Sequence, residues 1–92
     1  MDERYGVAAF RSRQQVLKIN EMLKREGIPS AVVSTPREIS AGCGLSVRFD
    51  LKDAGSVKRV ISYAKPVNLI GLYMVTNENG KRSRLSSLSF GH

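Results

Sequence analysis

The sequence contains one cysteine, no tryptophan and one histidine, and that histidine is the last residue, His92. A single cysteine excludes an intramolecular disulfide framework and any zinc site built on paired cysteines. With the only histidine at the end of the chain, a cysteine–histidine catalytic pair is not expected. Cys43 therefore acts either as one working thiol or as inert packing.

Long hydrophobic runs are also absent. No apolar stretch approaches the roughly 20 residues of a membrane span, and the acidic start, Met1-Asp2-Glu3-Arg4, lacks the pattern of a secretory signal. A chain of 92 residues with 41% hydrophobic residues fits one globular domain. We therefore expect a soluble cytoplasmic protein without a membrane partner.

Acidic residues are scarce, with 8 against 15 lysines and arginines, which gives a net charge of +7. Such an excess can indicate a nucleic-acid partner. However, residues 1–76 hold 12 basic and 7 acidic residues and residues 77–92 hold 3 and 1, and no block of five or six like charges occurs. This distribution favours a solvated basic surface over a nucleic-acid footprint.

The apolar pattern of the first half predicts a strand, a helix and a second strand. Residues 5–10 form a short run with aromatic ends, typical of a buried strand. Ser12 and Gln15 have the spacing of a capping box, and a helical stripe follows until Gly27 and Pro29. Residues 31–33 are apolar and rich in valine and predict a short strand before a loop over residues 34–44.

The second half predicts the same order of strand, helix and strand. Leu45, Val47 and Phe49 alternate with polar residues, which predicts a strand with one buried face. Asp50 or Asp53 can cap a second helix that ends before Pro66. Residues 67–75 predict a fourth strand, and the composition of residues 77–92 indicates a flexible basic tail.

This order predicts an α+β fold, the ferredoxin-like β-α-β-β-α-β sandwich, over residues 1–76. Its four-stranded antiparallel sheet would carry two helices on one face. A homodimer that forms through the other face of the sheet is an alternative arrangement.

The expected topology brings the end of the first strand beside the loop over residues 34–44. Cys43 should then approach the start of the first helix, where Ser12 and the free amides favour an anion. Arg11, Arg13 and Arg37 would add positive charge and lower the pKa of the thiol. Gly42 and Gly44 flank Cys43 and leave room for a partner. The alternative is a buried structural cysteine in a Gly-x-Gly hairpin.

The stretch from Thr35 to Phe49, which contains Thr-Pro-Arg at residues 35–37 and Gly-Cys-Gly at residues 42–44, resembles the selenium/sulfur (Se/S) carrier protein-like family of small bacterial proteins. The Phe10-Arg11-Ser12 junction, Glu21 to Lys24 and Gly27-Ile28-Pro29 are also similar to that family.

The resemblance implies a carrier rather than an enzyme. Cys43 would hold sulfur or selenium transiently, as a persulfide or selenosulfide, with no tightly bound cofactor. Donor and acceptor proteins would be its partners, and the resemblance carries over Thr35, Pro36 and Arg37 as the loop motif. We expect Arg37 to stabilise the thiolate or persulfide anion.

Two other classes share the expected fold. An RNA-recognition module would present several aromatic side chains on the third strand, where this sequence offers only Phe49. A metal chaperone would need two thiolates, so only a site shared across a dimer could supply them. No metal site is therefore predicted.

Overall fold

In the computed structural model, residues 3–36, 39, 44–65, 68–78 and 81–88 are described. The backbone alone is described for residues 3, 78 and 81–88. The elements are β1 (Glu3–Phe10), α1 (Arg13–Arg25), β2 (Ser30–Ser34), β3 (Leu45–Phe49), a short 3-10 helix (Leu51–Asp53), α2 (Ala54–Ala64), β4 (Leu69–Glu78) and β5 (Lys81–Leu88).

The strands form one antiparallel sheet in the order β2-β3-β1-β4-β5. Its first four positions have the ferredoxin-like order, and both helices contribute to one apolar cluster on a single face of the sheet. The predicted α+β fold is therefore confirmed.

The fifth strand was not expected. β4 continues to Glu78, and β5 pairs with it from Leu72↔Leu88 to Glu78↔Lys81, in the segment predicted as a flexible tail. Two residues, Asn79 and Gly80, separate the strands in the sequence, and Asn-Gly is the pair that two-residue hairpin connections prefer. The polar composition after this pair is typical of a tail, whereas the pair itself is a hairpin signal.

Local sequence explains both ends of α1. Ser12 is its N-cap, and its side chain accepts a hydrogen bond from the backbone amide of Gln15. Gly27 has a positive φ of 77°, and the amides of Gly27 and Ile28 donate to the carbonyls of Lys24 and Leu23 at 3.0 and 2.9 Å. This is the Schellman pattern, in which glycine adopts the left-handed conformation without strain.

The second helix begins differently from the prediction. Asp50 and Asp53 do occupy cap positions, but neither side chain makes a capping hydrogen bond. The 3-10 turn between them directs the chain into α2, and the Asp53 Oδ2 atom is buried without a hydrogen-bond partner among the described residues.

The core lies between the helices and the sheet. Val16, Ile19 and Leu23 of α1 meet Val57, Val60 and Ile61 of α2 over Ala8, Phe10, Val47, Phe49 and Leu72. The helical stripe predicted for α1 thus supplies its three buried residues, and α2 buries three residues of its own against them.

Candidate functional site

The two ends of the loop over residues 35–44 are joined at the edge of the sheet. The last pair of the β2–β3 ladder is Ser34↔Leu45, and the Thr35 amide donates to the Gly44 carbonyl at 3.2 Å. Because β3 lies between β2 and β1, this closed base stands beside the end of β1, where α1 begins. The described base of the loop therefore lies beside the end of β1, as the register Ala9↔Ser46 shows.

A buried hydroxyl pair reinforces this base. Thr35 Oγ1 and Ser46 Oγ are 2.7 Å apart and share a hydrogen bond. Thr35 is 9% exposed and Ser46 is 0% exposed, so neither hydroxyl has ready access to water as a replacement partner. Ser46 was not a candidate in the sequence, where serine on the polar alternation of a strand predicts a solvated side chain.

The described part of the loop lies on the sheet face opposite the helices. Ser46 alternates with Leu45 and Val47, which face the helices, so the hydroxyl pair lies on the other face. Ile39 packs there against a second apolar cluster formed by Tyr5, Val7 and Val75. Ile39 thus covers part of the face that a two-layer sandwich would otherwise leave open.

Arg48 is a further cation on this face. Its guanidinium carbon lies 3.9 Å from the centroid of the Tyr5 ring, a stacked arrangement typical of arginine on an aromatic face. The register pairs Val7 with Arg48, which places Arg48 in the same row as the Ile39 cluster. The alternation of β3 predicts that Arg48 lies on the sheet face opposite the helices. No sequence signal predicts that Ile39 of the loop lies on that face as well.

The remaining candidates are distributed around this edge. Arg11 and Arg13 are exposed, Ser12 is half-buried as the N-cap, Pro36 is buried and Gly44 is exposed. Arg37, Gly42 and Cys43 lie outside the described residues. The structure therefore describes the base of the proposed site and the start of α1, while the expected approach of Cys43 to that helix stays a prediction.

Gly44 borders open space within the part of the chain that the structure describes. A Cβ atom added there would meet no described atom within 4 Å. Packing against the described residues therefore does not require glycine at this position. Open space beside the loop is what an approaching partner would need.

Among the described residues, no group of three or more His, Cys, Asp or Glu side chains could hold a metal ion. No helix in the described part of the chain is long and apolar enough to cross a membrane.

We predict that the two hydroxyls of the loop base depend on each other. Thr35→Val or Ser46→Ala should each lower the free energy of unfolding by about 1–3 kcal/mol, because each leaves a buried hydroxyl without its partner. The double variant should cost less than the sum of the two single changes. Urea unfolding of the four proteins measures this coupling, and strict additivity would show that the contact contributes nothing.

Fold and site together define a small α+β protein of ferredoxin-like order, in which the sheet holds the base of a loop whose sequence includes the single cysteine. The model of the family described as "Putative Se/S carrier protein-like" matches residues 5–73. The match covers 69 of the 92 residues, and the chain belongs to this family. No curated protein and no solved structure gave a significant match.

Proposed function

We propose that the protein is a sulfur or selenium carrier that holds its cargo on Cys43 and passes it to an acceptor protein. Membership of the Se/S carrier protein-like family over residues 5–73 is the observation that carries this proposal. Such a protein would act in the reducing cytoplasm, where a single thiol stays reduced between cycles.

The chemistry is thiol exchange without an external oxidant or reductant. The Cys43 thiolate attacks the outer sulfur of a donor persulfide, a new S–S bond forms, and the donor leaves as a thiolate. In delivery, a nucleophile of the acceptor attacks that outer sulfur, and Cys43 leaves as a thiolate. A selenium atom follows the same route from a donor selenopersulfide to a selenosulfide on Cys43.

Three features of the described residues support the proposal. The closed base, with its Thr35–Ser46 hydrogen bond, gives the loop a fixed starting point on the sheet. Gly44 is exposed, and a Cβ atom there would contact no described atom, which suits the approach of a second protein. Arg11 and Arg13 are exposed at the start of α1, and positive charge near a thiol favours its thiolate.

The three aromatic residues of β1 and β3 argue against an RNA-recognition module. Phe10 and Phe49 are 1% and 2% exposed in the core beneath the helices. Tyr5 lies on the opposite face but is 9% exposed and covered by Arg48. Stacking of bases needs accessible rings on that face, so these three rings cannot form the platform that such modules use.

The proposal is tested by loading the protein with glutathione persulfide and, separately, glutathione selenopersulfide. Intact-mass spectrometry under non-reducing conditions should show the addition of one sulfur or one selenium atom to the native protein. Cys43→Ser should take up neither. The unfolded wild-type protein serves as the matched control for thiol reactivity that does not need the fold.

Two results would contradict the carrier role. One is that native protein acquires no additional atom while free cysteine does under the same conditions. The other is that native and urea-unfolded protein load and lose the atom at equal rates, because the fold would then contribute nothing to the chemistry. Competition between the two donors also reports which cargo the site prefers.

A further inference from the structure

A groove of about 440 Å³ lies between the two helices, on the face away from the loop. Its floor is formed by Val60, which is 6% exposed, and by Met22, which is half-buried. Arg25, Glu26, Arg59 and Tyr63 complete its lining. The floor is therefore apolar and the rim is mostly charged.

Tyr63 is the most unusual member of this groove. It is 84% exposed, although α2 buries the neighbouring positions Val60 and Ile61. Its ring stabilises nothing in the core. Exposed tyrosines beside an apolar floor are typical of protein interfaces, where the ring supplies contact area and the hydroxyl a hydrogen bond.

Charge indicates what kind of surface fits here. Residues 13–26 and 50–65, which contain the helices, hold eight basic and four acidic residues and thus a net charge of +4. Two copies that met through this layer would repel each other, whereas an acidic partner would be attracted. Arg25 already pairs with Glu21 at 2.9 Å, which makes Arg59 the better candidate for a carboxylate of the partner.

Nucleic acid fits the groove less well. The apolar floor offers no hydrogen bond to a phosphate or a base. A peptide segment with an apolar side chain uses both the floor and the charged rim.

We propose that the groove between α1 and α2 docks an acidic, amphipathic segment of a partner protein. An apolar side chain of that segment packs on Met22, Val60 and Tyr63, and a carboxylate pairs with Arg59. If the chain is a carrier, as proposed above, this partner is a donor or acceptor. The groove and the described part of the loop lie on opposite faces of the sheet, so a docked partner leaves the loop face uncovered.

The probes are three fluorescein-labelled amphipathic peptides with the same leucine face and with Glu, Gln or Lys on the polar face. Fluorescence anisotropy should show that the Glu peptide binds at least about tenfold more tightly than the other two. Arg59→Glu and Tyr63→Ala should each weaken its binding by about tenfold or more. Amide shifts in ¹H–¹⁵N spectra should cluster around the groove.

Matched controls separate the groove from general attraction. Lys24→Glu makes the same charge change as Arg59→Glu at an exposed position of α1 outside the groove lining, and Leu17→Ala removes another exposed apolar side chain. Both should bind the Glu peptide within about twofold of the wild type. Circular dichroism verifies that all variants fold.

Several outcomes would overturn the proposal. Equal weakening by Lys24→Glu and Arg59→Glu would show unspecific attraction, and peptide shifts away from the groove would place binding elsewhere. Self-association that Tyr63→Ala abolishes would assign the groove to a second copy. Shifts at the groove with an oligonucleotide and none with the Glu peptide would assign it to nucleic acid. Cys43→Ser should bind like the wild type, so failure of docking and failure of sulfur loading are separate results.

Discussion

Replacing Gly6 by alanine should lower the free energy of unfolding by about 1–3 kcal/mol, although the change is only one methyl group. Gly6 pairs with Phe49 across the β1–β3 ladder, and the Phe49 ring lies where a Cβ atom of residue 6 would be. Phe49 is 2% exposed and surrounded by core side chains, so the ring has no free space to move into. Thermal unfolding should show a fall in Tm of roughly 5–20 °C for a domain of this size.

Gly71→Ala is the matched control for this prediction. A Cβ atom there would meet the end of the Tyr73 side chain, 2.8 Å from its hydroxyl oxygen. Tyr73 is half-buried and its ring can turn away, so we expect a change within about 1 kcal/mol. In a Phe49→Leu background, Gly6→Ala should cost less than in the wild type. An unchanged cost there would show that the ring is not the cause.

Alkylation of Cys43 by iodoacetamide should follow an apparent pKa below the ordinary value of about 8.5. Positive charge near the thiol favours the thiolate, so the pKa falls when cations are close and rises when one is removed. Arg37→Ala should therefore raise the apparent pKa. Where the apparent pKa lies above the pH of the assay, each unit of that rise lowers the thiolate fraction by about tenfold, and the alkylation rate falls with it.

Three variants separate local from general charge effects in this experiment. Arg13→Ala removes a cation at the start of α1, and Arg48→Gln removes one from the face that Ile39 covers. Arg59→Ala removes an exposed cation from the other side of the sheet and should leave the profile unchanged. A wild-type profile that matches urea-unfolded protein would indicate an unactivated cysteine, and an equal rise in Arg59→Ala would indicate only the net charge of the chain.

The fold could be predicted from the sequence because its local and global signals agree. The alternation of Leu45, Val47 and Phe49 identified β3 and its buried face, and all three pack on the helix side. Ser12 and Gly27 marked the ends of α1 through their capping chemistry. These features depend on neighbours within a few positions, which a single sequence displays directly.

The base of the site could be predicted only in part. The topology placed the loop beside the start of α1, but the burial of Ser46 and the Tyr5–Arg48 contact depend on which sheet face the loop covers. The packing of Ile39 against residues of β1 and β4 determines which face the loop covers. The sequence did not predict β5 for a related reason. Residues 81–88 lack a continuous apolar alternation, and it is the pairing with β4 that holds them in a strand.

Pairing with β5 removes an aggregation hazard. Residues 69–75 form the most apolar strand segment, and the unpaired edge of such a strand is a template for association with other chains. With β5 in place, β4 lies inside the sheet, and the outer positions belong to the short β2 and to a strand whose sequence contains Lys81, Arg82 and Arg84. Basic residues on an edge strand discourage further pairing, so part of the positive charge of this chain protects it against self-assembly.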